Sequence, residues 1–442
     1  MNYTLELGLK GLRRHPRTML LAIATMALGL AATMTMLTML AMLSADPLPG
    51  LSQHLYLGWV DSRQAPKAGH SEGDNATVAR TLWKLADVQA LQEAHPDIRQ
   101  SALVSTSLTL ASEDGARKQS GPGVLALGPM PSMFGVALRH GRYWNVQEER
   151  ERTPVAIIDR ATSLKLFGSE NGIGRSVRIG KGLFRVIGIS DGWAPRPAVH
   201  FLQNENGAWD SGPDIAFVPA LAALDNQVVP ISAQECDDTG PHGIRFNDLD
   251  VKACRWLALW AELPTSTRMQ DYQRYLLDYA RQRHADGMFQ RPPAAGLYGV
   301  AEWLRLNRVV PDSVRLNLWL ALGLLALCLV NVAGLLAARL LRRSGELGVR
   351  RVLGAPRRSV TLQCLVESGA AGLLGGLLAL PLTLFGLWVV RLQDRSYTDM
   401  AHLHPSLFLV LLGLALVCGL LVGALPAWRA ARLEPALQVK SL

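Results

Sequence analysis

Four stretches of this 442-residue sequence contain no charged residue: Thr18–Leu43, Leu316–Ala338, Ser368–Val390 and Pro405–Trp428. As a helix, at 1.5 Å per residue, each is long enough to cross a hydrocarbon layer of about 30 Å. The first follows a basic segment with Lys10, Arg13, Arg14 and Arg17, as a signal peptide would. Its apolar run, however, far exceeds the roughly 7–15 residues of a signal peptide's apolar region. Ser44-Ala45-Asp46 is also a poor cleavage site. The first stretch is therefore expected to be an uncleaved membrane anchor.

Basic residues orient the four spans. Four precede the first span, and seven lie between the second and third: Arg339, Arg342, Arg343, Arg350, Arg351, Arg357 and Arg358. Three more, Arg429, Arg432 and Lys440, follow the fourth. The loop between the third and fourth spans has Arg391 and Arg395, balanced by Asp394 and Asp399. The three basic segments share one side, so both termini are expected in the cytoplasm. They hold fourteen basic residues against Glu6, Glu346 and Glu434, whereas the whole chain is only +9. The basic balance is thus a topology signal, and it gives no reason to expect a nucleic-acid partner.

The long segment between the first and second spans is mixed in pattern and reads as an α+β domain. Val78–His95 has Leu82, Leu85 and Val88 at helical spacing, and Thr267–His284 is a second amphipathic helix. Ile98–Leu110, Val124–Leu127 and Pro154–Asp159 read as strands, and Arg160–Phe167 as a helix. Val177–Ile189 reads as a hairpin turning at Gly180-Lys181-Gly182. Clusters of Gly, Pro, Asp and Asn mark loops at Asp191–Pro213, which could divide two lobes, and at Asp237–Asn247. Asp61–Asn75 is likewise expected to be a mobile loop. Cys236 and Cys254 both fall in this domain, on the oxidising side, where a disulfide between them is expected.

No catalytic centre is legible. The sequence lacks a Gly-x-x-x-x-Gly-Lys-Ser/Thr phosphate loop, a His-Glu-x-x-His pair and a Gly-x-Ser-x-Gly elbow. The Gly-rich stretch Gly369–Gly376 lies within a span, where small residues serve close helix packing. His402-Leu-His404, in the short outer loop, reads as an interfacial polar pair. Glu367, about one turn inside the third span, reads as structural, reaching the interface or pairing with a nearby Arg.

The C-terminal third carries the most specific pattern. It includes Asn331-Val-Ala-Gly-Leu-Leu-Ala-Ala-Arg339, then Glu346-Leu-Gly-Val-Arg-Arg-Val-Leu-Gly-Ala355, then Gln363, Glu367 and Gly372-Leu-Leu-Gly-Gly376. It closes on Pro426-Ala-Trp-Arg-Ala-Ala-Arg-Leu-Glu-Pro-Ala436. This resembles the FtsX-like permease domain of the MacB/FtsX/LolC family of ABC transporter permeases. Leu7-Gly-Leu-Lys-Gly-Leu-Arg-Arg-His-Pro-Arg-Thr18 is similar to that family's N-terminal approach. Gly141-Arg-Tyr-Trp144, Pro154-Val-Ala-Ile-Ile158, Leu166-Phe-Gly168 and Ile173-Gly-Arg175 resemble its periplasmic core domain. Residues from about Asp191 to Asn307 match weakly.

The resemblance implies an integral membrane protein of the bacterial inner membrane with four transmembrane α-helices in a 1 + 3 arrangement. A large α+β extracytoplasmic domain lies between the first and second helices. The expected organisation is a cytoplasmic amphipathic segment 1–17, a first helix 18–43 and a MacB-like core domain with stalk 44–315. There follow a second helix 316–341, a cytoplasmic coupling segment 342–360, a third helix 361–390, a short outer loop 391–404, a fourth helix 405–428 and a tail 429–442. The implied role is a non-catalytic permease subunit that passes ATP-driven motion to the outer domain, for export or efflux from the periplasmic side. ATP and magnesium would sit on a separate cytoplasmic ABC ATPase, and none in this chain. Glu346, Leu347, Arg350, Arg351 and Leu353 would seat the coupling segment in that partner. Further implied partners are a second permease subunit, the same or related, membrane lipids, and for MacB-like efflux a periplasmic adaptor and an outer-membrane channel. Release of lipoproteins and regulation of a cell-wall hydrolase are alternative outputs within the class. A membrane-anchored sensor or scaffold without energy coupling is the alternative outside it.

Overall fold

Each uncharged stretch forms one long helix: Pro16–Leu43, Asp312–Arg342, Arg357–Arg391 and Pro405–Arg432. All four are long and apolar enough to cross a membrane. The structure is a computed structural model that describes residues 16–63, 78, 80–201, 212–228, 231–236, 244–342, 356–392 and 405–432. The helices outrun the uncharged stretches because backbone hydrogen bonding continues through flanking polar residues. The third begins directly after Pro356, whose fixed φ and missing N–H suit the start of a helix and not its interior.

Residues 1–44 and 310–442 form one unit, and 45–309 a second. In the first unit, the first helix packs on the second and third, and the fourth packs on the third and second. Among the described residues, the second and third helices lie diagonally across this four-helix group. Small residues set the close approach of the third and fourth helices. A Cβ on Gly372 would come within 2.9 Å of the Gly419 Cα, and one on Gly376 within 2.6 Å of the Ala415 Cβ. One on Gly423 would overlap the Ser368 hydroxyl. In lipid, where apolar burial gives no net drive, this backbone proximity supplies the packing. Thr33 adds a hydrogen bond from its hydroxyl to the Ala321 carbonyl, 3.2 Å, from the first helix to the second.

The second unit is built on an eleven-stranded sheet. Its elements in chain order are β1 (Leu55–Val60), β2 (Leu82–Trp83), α1 (Leu85–Ala94), β3 (Arg99–Ser112), β4 (Lys118–Leu127) and β5 (Leu138–Gly141). Then come α2 (Val146–Arg150), β6 (Val155–Asp159), α3 (Arg160–Phe167), β7 (Ser176–Ile179), β8 (Gly182–Ser190), β9 (Ala216–Pro219) and α4 (Ala220–Asp225). Last are β10 (Ile231–Cys236), β11 (Ile244–Asp248), β12 (Cys254–Arg255), β13 (Leu257–Glu262), α5 (Ser266–Ala285), β14 (Ala295–Gly299) and α6 (Val300–Leu306). The main path runs β14-β1-β13-β3-β4-β9-β6-β8-β5, with β2 on β13 and β7 on β3 and β8. A separate three-stranded sheet runs β11-β10-β12. Trp83, Trp256, Trp260, Phe134, Phe184, Phe217 and Tyr272 are fully buried and fill much of the interior.

Local chemistry explains several boundaries. The Asp159 carboxylate accepts from the Ala161 and Thr162 N–H groups and starts α3, and Gly168, at φ 71°, ends it. Thr265 caps α5 by accepting from the Arg268 N–H. That helix buries Tyr272, Leu276 and Ala280, each one turn apart. Gly180, at φ 60°, opens the turn between β7 and β8 as its sequence suggests.

Three expectations are corrected. Val78–His95 is not one helix: Leu82 and Trp83 extend as a strand against Ala258 and Leu257, and α1 starts only at Leu85. The sheet's demand for a paired edge outweighs the helical spacing there. Within Asp237–Asn247, Ile244–Asn247 is strand, paired with β10. Nor does Asp191–Pro213 divide two lobes, because β9 beyond it inserts between β4 and β6 of the same sheet. Most of the expected loop Asp61–Asn75, and the His402–His404 pair, lie outside the described residues.

Candidate functional site: the helix ends flanking the coupling segment

Glu346, Leu347, Arg350, Arg351 and Leu353, expected from the sequence to seat a coupling segment, lie outside the described residues. The helices on either side of them are described, and they meet at a buried charge pair. Arg339, in the last turn of the second helix, places Nη1 2.6 Å from Oε1 of Glu367 on the third helix. The two side chains are only 9% and 12% exposed. The same Arg339 Nη1 donates to the Met19 thioether of the first helix at 3.3 Å. Three helices therefore converge on one guanidinium. Two charges removed from water hold this position only as partners, because either alone would be left uncompensated.

Glu367 pairs with an arginine, which is one of the outcomes its sequence setting allows. The sequence does not single out the partner, because Arg339 reads there as one of seven topology charges. A signal for it exists. Leu325, Cys328, Val332 and Leu336 are buried in the second helix at steps of three and four residues, and Arg339 continues that face. Its position therefore turns it inward.

The second unit holds further polar groupings. Cys236 and Cys254 face one another across β10 and β12 and are joined as a disulfide. Next to them Glu235 is buried, with its carboxylate 4.0 Å from Arg255. Burial pushes this carboxyl up to about 7, against the downward pull of Arg255. Arg255 also donates to the Ser62 hydroxyl at 3.0 Å and the Ser62 carbonyl at 2.8 Å. Asp61 receives two hydrogen bonds of 2.8 Å from Arg63 and lies 3.5 Å from Arg291. Burial alone would raise the Asp61 carboxyl, but these guanidinium groups hold it below its ordinary value.

His200 and Asp214 form a buried pair, 2.9 Å apart. His200 lines a cavity of about 30 Å³ together with Thr81, Ser105, Trp256, Trp260 and Trp303. That volume suits a water molecule, whereas drug-sized ligands need roughly 300 Å³ or more. Among the described residues, no cluster of three His, Cys, Asp or Glu side chains is arranged to hold a metal ion.

Among the described residues, four helices long and apolar enough to span a membrane, one before and three after a large α+β domain, define a multi-pass membrane protein. Residues 19–246 match the MacB-like periplasmic core domain and residues 319–435 the FtsX-like permease C-terminal domain. The chain belongs to this MacB-like, FtsX-like permease family. It is 24% identical over 300 residues to the macrolide export ATP-binding/permease protein MacB of Bdellovibrio bacteriovorus, covering 67% of this chain and 40% of that protein. It is 26% identical over 373 residues to the MacB of Bordetella avium, covering 83% of this chain and 50% of that protein. The chain thus spans 40–50% of the length of these curated relatives. Among solved structures, the periplasmic region of MacB from Actinobacillus actinomycetemcomitans aligns at 13% identity with a TM-score of 0.36. That alignment covers 58% of this chain and 94% of that one.

Proposed function

We propose that this chain is the membrane subunit of an ATP-driven ABC transporter of the MacB/FtsX type, coupling hydrolysis on a cytoplasmic ATPase to movement of the large domain outside the membrane. The observation that supports it best is the layout around the second long helix. At one end, only residues 307–311 separate it from α6 of the large domain. Near the other, Arg339 ties it to the third helix, and between those two helices lies the segment with Glu346, Leu347, Arg350, Arg351 and Leu353. A short, basic segment at the cytoplasmic surface would seat in a partner's groove and pass its displacement to the helices on both sides.

The working unit is two permease copies, the same or related, with two ATPases that bind ATP and magnesium. Few charges lie within the spans, so substrate is handled outside the bilayer and not through a polar channel. Efflux from the periplasmic side is the output proposed, given the macrolide-export names of the relatives. A periplasmic adaptor and an outer-membrane channel would complete such a route.

The test uses the full chain in lipid together with the ABC ATPase that copurifies with it. Hydrolysis is expected to depend on this subunit. Reversing charge at Arg350 and Arg351 together should abolish that dependence while the chain stays in the membrane. An ATPase rate indifferent to the presence of this chain would refute the proposal. Unchanged coupling in the double variant would reduce the segment to a topology signal.

A further inference from the structure

Helices that pack side by side need no charge pair to hold them. The second and third helices are not such neighbours: among the described residues they are diagonal, with the first and fourth helices between them. Neighbouring helix axes lie about 8–10 Å apart, so a diagonal pair is separated by roughly 12–14 Å. Two long side chains can close that gap, and Arg339 and Glu367 do so through the interior of the group. These two helices are also the ones that enter and leave the segment 343–355.

We infer that Arg339 and Glu367 are positioning residues: their pair is a cross-tie that makes the second and third helices move as one body at the coupling end. This rests on the proposed coupling function and assigns to it a part that the coupling segment itself does not supply. The physical reason is the alternative each charge faces. If the helices slid apart, a carboxylate and a guanidinium would be stranded in an apolar interior, so separation is opposed far more steeply than by dispersion contacts. The Met19 thioether, which accepts from the same guanidinium, fixes its orientation against the first helix. Glycine contacts between the third and fourth helices then carry any displacement of the third helix into the rest of the group.

The experiment measures the distance distribution between spin labels at Arg342→Cys and Leu362→Cys, both exposed, in the full chain in lipid nanodiscs without nucleotide. The buried Cys328, Cys364 and Cys418 are replaced by Ala. The unaltered pair should give one narrow distribution. Glu367→Gln, nearly identical in shape, should broaden it at least twofold, and the exchange R339E with E367R should narrow it again. An unbroadened distribution in E367Q overturns the inference, and so does an exchange that inserts normally but stays broad. If the exchange variant does not accumulate, Arg339→Lys takes its place: it keeps the charge, so a narrow distribution supports the cross-tie and a broad one overturns it. A second arm measures ATPase stimulation by the same variants. Stimulation lost in E367Q and restored by the exchange supports the cross-tie as part of coupling. If even the unaltered chain stimulates no ATPase, the coupling function fails, while the distance data still decide the tie.

Discussion

Glu235 shows how far a single side chain can depart from its sequence setting. In the sequence it stands beside a polar, Gly-containing run, where a solvated carboxylate is the natural expectation. In the fold it lies on β10, paired in register with Arg255 and next to the disulfide, and it is buried. Nothing in its neighbours along the chain encodes that burial, which comes from strands joined across the sheet. Its folded-state value of about 7 lies above the ordinary 4.5. The group's contribution to stability is therefore fully present below about pH 4.5 and is lost as pH rises through about 7. The span corresponds to about 3 kcal/mol at most. Glu235→Gln should flatten this dependence: near pH 4.5 the variant and parent should unfold at similar denaturant concentrations, and at pH 8 the variant should be the more stable. Parallel stability curves from pH 4.5 to 8 would contradict the assignment. The Arg339–Glu367 pair is the same lesson in the membrane: Glu367 is conspicuous as an acid near a span, but its partner is visible only when the buried face of the second helix is traced.

Elements were legible where one short-range pattern decides them. The four long helices follow from uncharged length, α3 from a capping aspartate and a closing glycine, and the β7–β8 hairpin from its turn glycines. Where pairing between distant segments decides, the pattern misleads. Leu82 sits at helical spacing from Leu85 and Val88, yet with Trp83 it forms a strand paired with β13, and β11 lies in a stretch rich in turn residues yet pairs with β10. The proposed coupling segment is the opposite case: its residues stand out in the sequence, and they lie outside the described residues. The Gly369–Gly376 stretch bears directly on packing. Gly372→Val would drive its side chain into the Ala415 carbonyl and Gly419. Overpacking of this kind costs on the order of 1–3 kcal/mol. We expect at least a severalfold drop in properly inserted protein, measured by protease resistance in native membranes, while Gly413→Val, in open space, should change little. Equal accumulation of both variants would show that the third and fourth helices do not rely on this contact.

For the whole molecule, the 1 + 3 layout and the family are legible in the sequence, and composition explains why: spans, loops and a soluble-type domain differ in charge along the chain itself. The cargo is not legible, because no ligand motif marks the sequence of the large domain. The distribution of basic residues predicts an orientation. A reporter fused after Leu442 should read cytoplasmic and one inserted at Asn206 extracytoplasmic, and a cytoplasmic signal at Asn206 would overturn the topology. The proposed energy coupling demands more than topology, since ATP bound on one side would have to move a domain on the other. The direct measurement is energy transfer between fluorophores at Glu113→Cys, in the exposed turn between β3 and β4, on two copies reconstituted with the ATPase. Adding a non-hydrolysable ATP analogue should shift the transfer efficiency, and the shift should vanish when Arg350 and Arg351 are reversed together. A transfer efficiency that stays constant on nucleotide binding, in a complex whose ATPase is active and stimulated by this chain, would contradict transmission of motion to the large domain.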